Sequence, residues 1–252
     1  MPANAVNRAL NGLECPDMRV SGRLLPFLAL VVLAACGGSA TASYDQTSPN
    51  QIAKDASSSI KSVKSEHVKF DGTSSTGAVT FDADVEGQNF NGTFGMSGQI
   101  VKITAVDGKV YIYGPDMLKL LPTTDPTVAA RVQQLVGTNW VVLPNSSTVT
   151  GDLSTILDMS QFAKCIDGLS GWKKKGTSTI EGDSVVEIDD STLGQLFVTM
   201  SSPHYPRRMV LTSTTCSTDT SGGSGTFDLT HIGATFNIKA PTNVVDLGSL
   251  GG

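Results

Sequence analysis

The residues whose types could do chemistry are few, and their spacing does not assemble them. Three histidines, His67, His204 and His231, lie far apart. The adjacent pair Asp189-Asp190 could share a proton in acid–base work, but it falls at the end of a strand-like segment and reads as turn chemistry. Gly222-Gly223-Ser224-Gly225 is not Gly-x-Ser-x-Gly, and it leads into a strand instead of forming a nucleophile elbow. A phosphate-binding Gly-x-x-x-x-Gly-Lys-Ser/Thr and a His-Glu-x-x-His are both absent from the sequence. His231 stands in register with Phe227 and Leu229, so it is expected to face inward as a buried, hydrogen-bonded histidine. These observations imply no enzyme, no cofactor and no metal site.

The four cysteines carry more information. Cys36 ends an apolar run, Leu24–Ala35, interrupted only by Pro26. The run has about 12 residues, which suits the h-region of a secretory signal; a bilayer-spanning helix needs about 20. Arg19 and Arg23 supply the positive charge before it, and Ala34-Ala35 the small residues after it. With Met18 as the true start, residues 1–17 and Cys15 drop away. Leu33-Ala34-Ala35-Cys36-Gly37-Gly38 resembles the bacterial lipobox. That resemblance implies a leader over 1–35, cleavage before Cys36, and a diacylglyceryl group on its sulfur. An ordinary secretory leader with an incidental cysteine is the alternative. Cys165 and Cys216 then remain. In an exported domain two cysteines usually pair, and closing their loop of about 50 residues contributes about 4 kcal/mol in the chain-entropy picture. A metal or redox site is the alternative, with no Cys-x-x-Cys to support it.

Composition narrows the field. Lys and Arg number 18 against 23 Asp and Glu, a formal charge of −5. A clustered basic footprint for nucleic acid is missing. Charged residues make up only 16%, while Ser, Thr and Gly abound, as in an exported β-rich protein.

The elements that must position any site follow from periodicity. Residues 36–50 are small and polar and read as a flexible tether, leaving 51–252 as a single domain. Ser48-Pro49 is a helix cap with proline at the first position, and Ile52, Ala53, Ala56, Ile60 and Val63 continue at helical spacing, predicting a helix over about 50–64. The period then switches to two. Val79, Phe81, Ala83 and Val85 alternate with Thr80, Asp82, Asp84 and Glu86, which marks a half-buried strand. Further strands follow, separated by glycine joints such as Asp107-Gly108, a strong hairpin signal. A helical insertion begins after Gly114-Pro115. It has a first piece at 116–121 and a second from Asp125-Pro126, with Val128, Val132, Leu135 and Val136 on one stripe. A third helical stretch, 152–166, carries Leu153, Ile156, Leu157, Phe162 and Ile166. A second set of hairpins completes the domain, and the tail after Asn237 is expected as an extended arm or as nothing regular.

This order of lipobox, tether, leading helix, hairpins, helical insertion near Val110–Leu121 and Gly137–Val141, and second hairpins resembles the LppX/LprG-type actinobacterial lipoproteins. These share a half-barrel with the LolA-type carriers. The local Asp107–Tyr113 segment and Trp140 add to the likeness. The resemblance implies an α+β fold: a curved antiparallel sheet, a half-open barrel of about 10–11 strands, with helices on its concave side. It implies acyl lipids or glycolipids as the ligand, held between sheet and helices. The stripes on the helices make Leu118, Leu121, Val128, Val132, Leu135, Leu153, Leu157 and Phe162 the candidate cavity wall; plain core packing is the alternative for each. Trp172 with Lys173, Lys174 and Lys175 forms the one basic cluster, a candidate contact for anionic headgroups or a solvated strand. The expectation is a monomeric, membrane-anchored envelope lipoprotein on the extracytoplasmic face. It would carry or present lipid without catalysis. An interaction protein with a filled core is the rival.

Overall fold

Residues that alternate between apolar and polar build most of the molecule, and a computed structural model shows how they join. It describes residues 43–74, 77–120, 126–143, 159–212 and 224–246. The chain enters through a short 3-10 turn, Tyr44–Gln46, and α1, Pro49–Ile60. Ser48 caps α1: its side chain accepts from the Gln51 N–H at 3.3 Å, and Pro49 occupies the first turn, where no N–H is needed. The helix stops at Ile60, earlier than expected. There Ser62 and Val63 donate to carbonyls three residues back, which tightens the last turn and releases the chain into β1.

Five strands follow in sequence: β1 Ser65–Ser74, β2 Gly77–Glu86, β3 Asn89–Met96, β4 Gln99–Val106 and β5 Lys109–Tyr113. Two of their joints, Ser97-Gly98 and Asp107-Gly108, have positive φ at both residues. That is the twist a two-residue hairpin demands. The insertion comprises α2 Gly114–Leu120, α3 Pro126–Val136 and β6 Trp140–Val142. Gly137, at φ 52°, ends α3 and donates to Gln133 O at 2.8 Å. The second half contains α4 Met159–Asp167, then β7 Lys173–Ile180, β8 Asp183–Asp190, β9 Gly194–Thr199, β10 Pro206–Leu211, β11 Ser224–Thr230 and β12 Val244–Asp246.

All twelve strands form one sheet in the order β12-β6-β5-β4-β3-β2-β1-β11-β10-β9-β8-β7. The β1–β11 pairing, from His67↔Thr230 to Thr73↔Ser224, welds the two meanders together. Among the described residues β12 and β7 stand at the two edges, and the sheet does not close. This is the expected α+β architecture, with two differences. The tail, expected as an extended arm or as nothing regular, adds a three-residue strand, and β12 runs parallel to β6, the one parallel pair among the described residues. The strand count is therefore twelve instead of ten or eleven.

The core lies between one face of the sheet and the helices. From α1 come Ile52, Ala53, Ala56 and Ile60, from α4 Met159, Ala163 and Ile166. Each buried Ile contributes about 1.5–3 kcal/mol. The two helices lie side by side and point the same way: Ser57 Oγ donates to Ala163 O at 3.1 Å, and one turn on Lys61 Nζ meets Asp167 Oδ2 at 2.6 Å. The other face of the sheet carries charge. Arg208 holds Asp228 through two nitrogens, and the His67 ring lies between Asp84, at 2.8 Å, and Asp82, at 3.4 Å. A face so polar stays in water, which directs the helices to the opposite one.

Candidate functional site

The inward-facing side chains divide by height along the strands. Near the β2–β3 and β4–β5 turns they are buried: Val85, Phe90, Ala105, Val110, Val198 and Leu229. This end is the floor. At the other end, where β3 turns into β4, the same face carries the half-buried Val79 and Leu211; one row in, half-buried Phe70 and Phe94 stand across from the fully buried Phe81 and Val101. Met96, next along the alternation on β3, is 42% exposed. This end is the rim. The inner face is therefore buried along most of its length and reaches water at its last row.

Aromatic rings line the way from rim to helix. The Phe70 and Phe227 centroids are 4.4 Å apart, and Phe162 of α4 meets Phe227 edge-on at 4.6 Å. Phe70 covers two facing glycines, Gly72 and Gly225, paired across β1 and β11. A Cβ at either would lie 2.5 Å from a Phe70 ring carbon. The glycines are thus what let the ring lie flat on the sheet.

One charged-type residue sits on this face at the floor. Glu66 shares the phase of Val68 and Phe70 and pairs across with Val85. It is 3% exposed. Burial alone pushes its carboxyl up to about 7.

The other expected site residues are distributed as follows. Phe162 is half-buried and packed against the core. Leu118 on α2 and Val132 on α3 are half-buried. Val128 and Leu135, however, are 44% and 55% exposed, so the α3 stripe turns largely outward and contributes only Val136 to the buried interior. Leu121, Leu153, Leu157, Cys216 and Cys36 lie outside the described residues. Cys165 is disulfide-bonded. Trp172 is buried in the core and not at a surface, because the chain turns its indole inward just before β7 starts. Lys173, Lys174 and Lys175 are exposed. Two of them are engaged: Lys174 Nζ donates to the carbonyls of Asp45 and Thr47, and Lys175 Nζ lies 3.3 Å from Asp189 Oδ2.

Lys174 therefore ties residues 45–47 to the start of β7. Tyr44 reinforces it: its ring stacks on His204 with centroids 3.6 Å apart, and its hydroxyl donates to Asp55 Oδ2 at 3.2 Å. Burial and the Asp55 carboxylate raise the Tyr44 hydroxyl well above the ordinary tyrosine value. Asp190 Oδ1 accepts from the N–H groups of Thr192 and Leu193, which is the expected turn chemistry. His231 departs from expectation. It sits past the end of β11 at φ 49°, exposed, its ring edge-on to His67 on the outer face. Strand alternation stops where the backbone turns left-handed. No group of three or more His, Cys, Asp or Glu able to hold a metal occurs among the described residues. No helix among them is long and apolar enough to cross a membrane.

Sequence reasoning missed Glu66 and the rim. The signal was present in Glu66-His67-Val68-Lys69-Phe70, where a carboxyl keeps step with two apolar residues.

No protein family matches the chain by sequence, and no curated protein does. Solved structures do match. LprF from Mycobacterium bovis superposes with a TM-score of 0.51 at 18% identity, over 77% of this chain and 97% of LprF. The chain has the LprF fold. The lipoprotein LppX from Mycobacterium tuberculosis aligns over 77% of this chain and all of its own, at 13% identity and a TM-score of 0.46. A LolA superfamily protein from Nitrosomonas europaea aligns at 11% identity and a TM-score of 0.26. The LprF fold is the half-open sheet that the resemblance implied.

Proposed function

We propose that this chain is an envelope lipoprotein that carries or presents acyl lipids in the concave side of its sheet, without catalysis. Cys36 is its lipidated residue, and Cys165 pairs with Cys216. The observation that supports the reading is the last row of the inner face, where Val79, Leu211 and Met96 stay accessible above a buried interior. A plain core would bury such residues at both ends; an acyl chain entering from the rim would cover them. Each methylene it buries contributes about 0.8 kcal/mol.

The test uses two charges on one hairpin. Met96 faces the inner side, and Ile100, 55% exposed, faces the outer side. Both tolerate arginine for the fold because both are open to water. Titration with a fluorescent acyl chain is expected to show weaker uptake by Met96→Arg and unchanged uptake by Ile100→Arg. Equal uptake by both variants and the wild type would overturn the reading. A specific observation supports the rival as well. Val128 and Leu135 on α3 expose an apolar stripe that a protein partner could cover. On that reading Leu135→Glu abolishes partner binding and leaves acyl uptake intact.

A further inference from the structure

The hairpin at the rim is apolar on both of its faces. Between Glu86 and Lys102 the sequence carries no charge, and that stretch folds as β3, the Ser97-Gly98 turn and the start of β4. Met96 faces the inner side and is 42% exposed; Ile100 faces the outer side and is 55% exposed. Gly95 stands across from Ile100 and has no side chain to cover it. A strand with one face in water ordinarily makes that face polar. The turn beside it, between Asp71 and Asp82, is uncharged as well. The Ser97 N–H donates to Ala78 O at 2.8 Å, which holds the tip against β2. Charge returns behind the tip. Lys102 is exposed two residues past Ile100, and Lys119 of α2 donates to the Ile100 carbonyl at 3.0 Å. Asp116, the carboxylate beside them, is tied to Lys119 and to the Lys102 N–H, so the three sum to a net positive charge. Asp71, on the same outer row as Ile100, is three strands away.

We infer that the tip of the β3–β4 hairpin is a docking element that enters the surface of an anionic lipid bilayer. A protein groove covers one face of a hairpin, whereas a bilayer surrounds a tip on all sides. Apolar groups that point in opposite directions from one tip therefore suit a bilayer. The dimensions agree. At about 3.4 Å per residue, Ile100 lies about 7 Å behind the turn and Lys102 about 14 Å. Insertion to the headgroup–acyl boundary, about 5–10 Å deep, covers Met96 and Ile100 and leaves Lys102 among the phosphates. The inference goes beyond the carrier reading and stands on the tip alone, because Ile100 faces away from the inner side.

Vesicle sedimentation tests it, with every protein carrying Cys36→Ala so that no acyl anchor contributes. The vesicles are phosphatidylcholine alone, or phosphatidylcholine and phosphatidylglycerol in equal parts. The reference protein is expected to bind the mixture more tightly, with an affinity that falls as salt rises. Ile100→Ser should weaken binding to both vesicles about three- to tenfold, the effect of removing a half-exposed isoleucine from the contact. Lys102→Gln should weaken binding to the mixture about fivefold and leave binding to phosphatidylcholine unchanged. Val244, 40% exposed on β12 at the level of Lys102, is the control, and Val244→Ser should bind as the reference does. All three side chains are open to water, so Tm should hold in each variant. Ile100→Ser should also keep the uptake of a free acyl chain, so docking and carriage are read separately. No binding by the reference protein, binding unaffected by Ile100→Ser, or an equal loss in Val244→Ser would overturn the inference and leave the carrier reading in place.

Discussion

Replacing Glu66 with glutamine should remove a pH dependence of folding stability that the wild type carries. Glu66 as a residue is 3% exposed, and burial raises its carboxyl from 4.5 to about 7. A carboxyl raised on folding favours the protonated native state. Its contribution is therefore fully present below the unfolded value of 4.5 and is lost as pH rises through about 7. The full shift corresponds to about 3 kcal/mol, and about 2.5 kcal/mol of it develops between pH 5 and pH 8. For a domain of this size that is a shift of about 5–10 °C in Tm. The assay is urea unfolding of delipidated wild type and Glu66→Gln at pH 5, 6, 7 and 8. The stability difference, variant minus wild type, should rise by about 2.5 kcal/mol across that range. Other titrating groups, such as Asp167 beside Lys61 and Asp116 beside Lys119, cancel in the difference because both proteins contain them. A difference that stays constant with pH would refute the reasoning, since Glu66 would then ionise alike in both states.

Four further outcomes are expected. Cys36→Ala should move the protein from the membrane fraction to the soluble one after a high-salt wash; persistent sedimentation would exclude lipidation there. Alkylation of the folded, unreduced protein should label neither Cys165 nor Cys216, and stoichiometric labelling of both would break the pairing. Asp116→Ala should destabilise by about 1–3 kcal/mol in urea unfolding, because Asp116 Oδ2 accepts from the Lys102 N–H at 2.9 Å and satisfies β4 where β5 departs into α2. Val132→Trp should lower acyl occupancy with little change in Tm if Val132 borders the ligand, whereas overpacking of a filled core would cost about 1–3 kcal/mol and change no occupancy.

Local signals made much of this fold legible. Ser48-Pro49 marks the start of α1 because cap and proline act within one turn. The Val79–Val85 alternation and the Asp107-Gly108 turn identify hairpins because their partners lie a few residues away. Nonlocal features were not legible. Three residues of β12 pair in parallel with β6, about 100 residues earlier, and nothing in so short a segment marks a parallel partner. A helical stripe also says nothing about what it faces. The Val128/Val132/Leu135 repeat is real, but α3 packs through α2 beside the sheet end, so two of the three turn outward. Phe162 has the same kind of periodicity and lands on Phe227, because α4 is held against α1 by Ser57. Trp172 next to three lysines looked like a surface anchor, yet packing decided its side. Glu66 was overlooked because a glutamate in a strand is ordinarily read as facing water.

The most direct test of the central claim is native mass spectrometry of the domain after gentle extraction from a lipid-rich host. The account predicts a population carrying one added mass, in the range of an acyl lipid, that is released by organic solvent and diminished in Met96→Arg. A domain that flies only at its bare polypeptide mass, in wild type and variant alike, would contradict it.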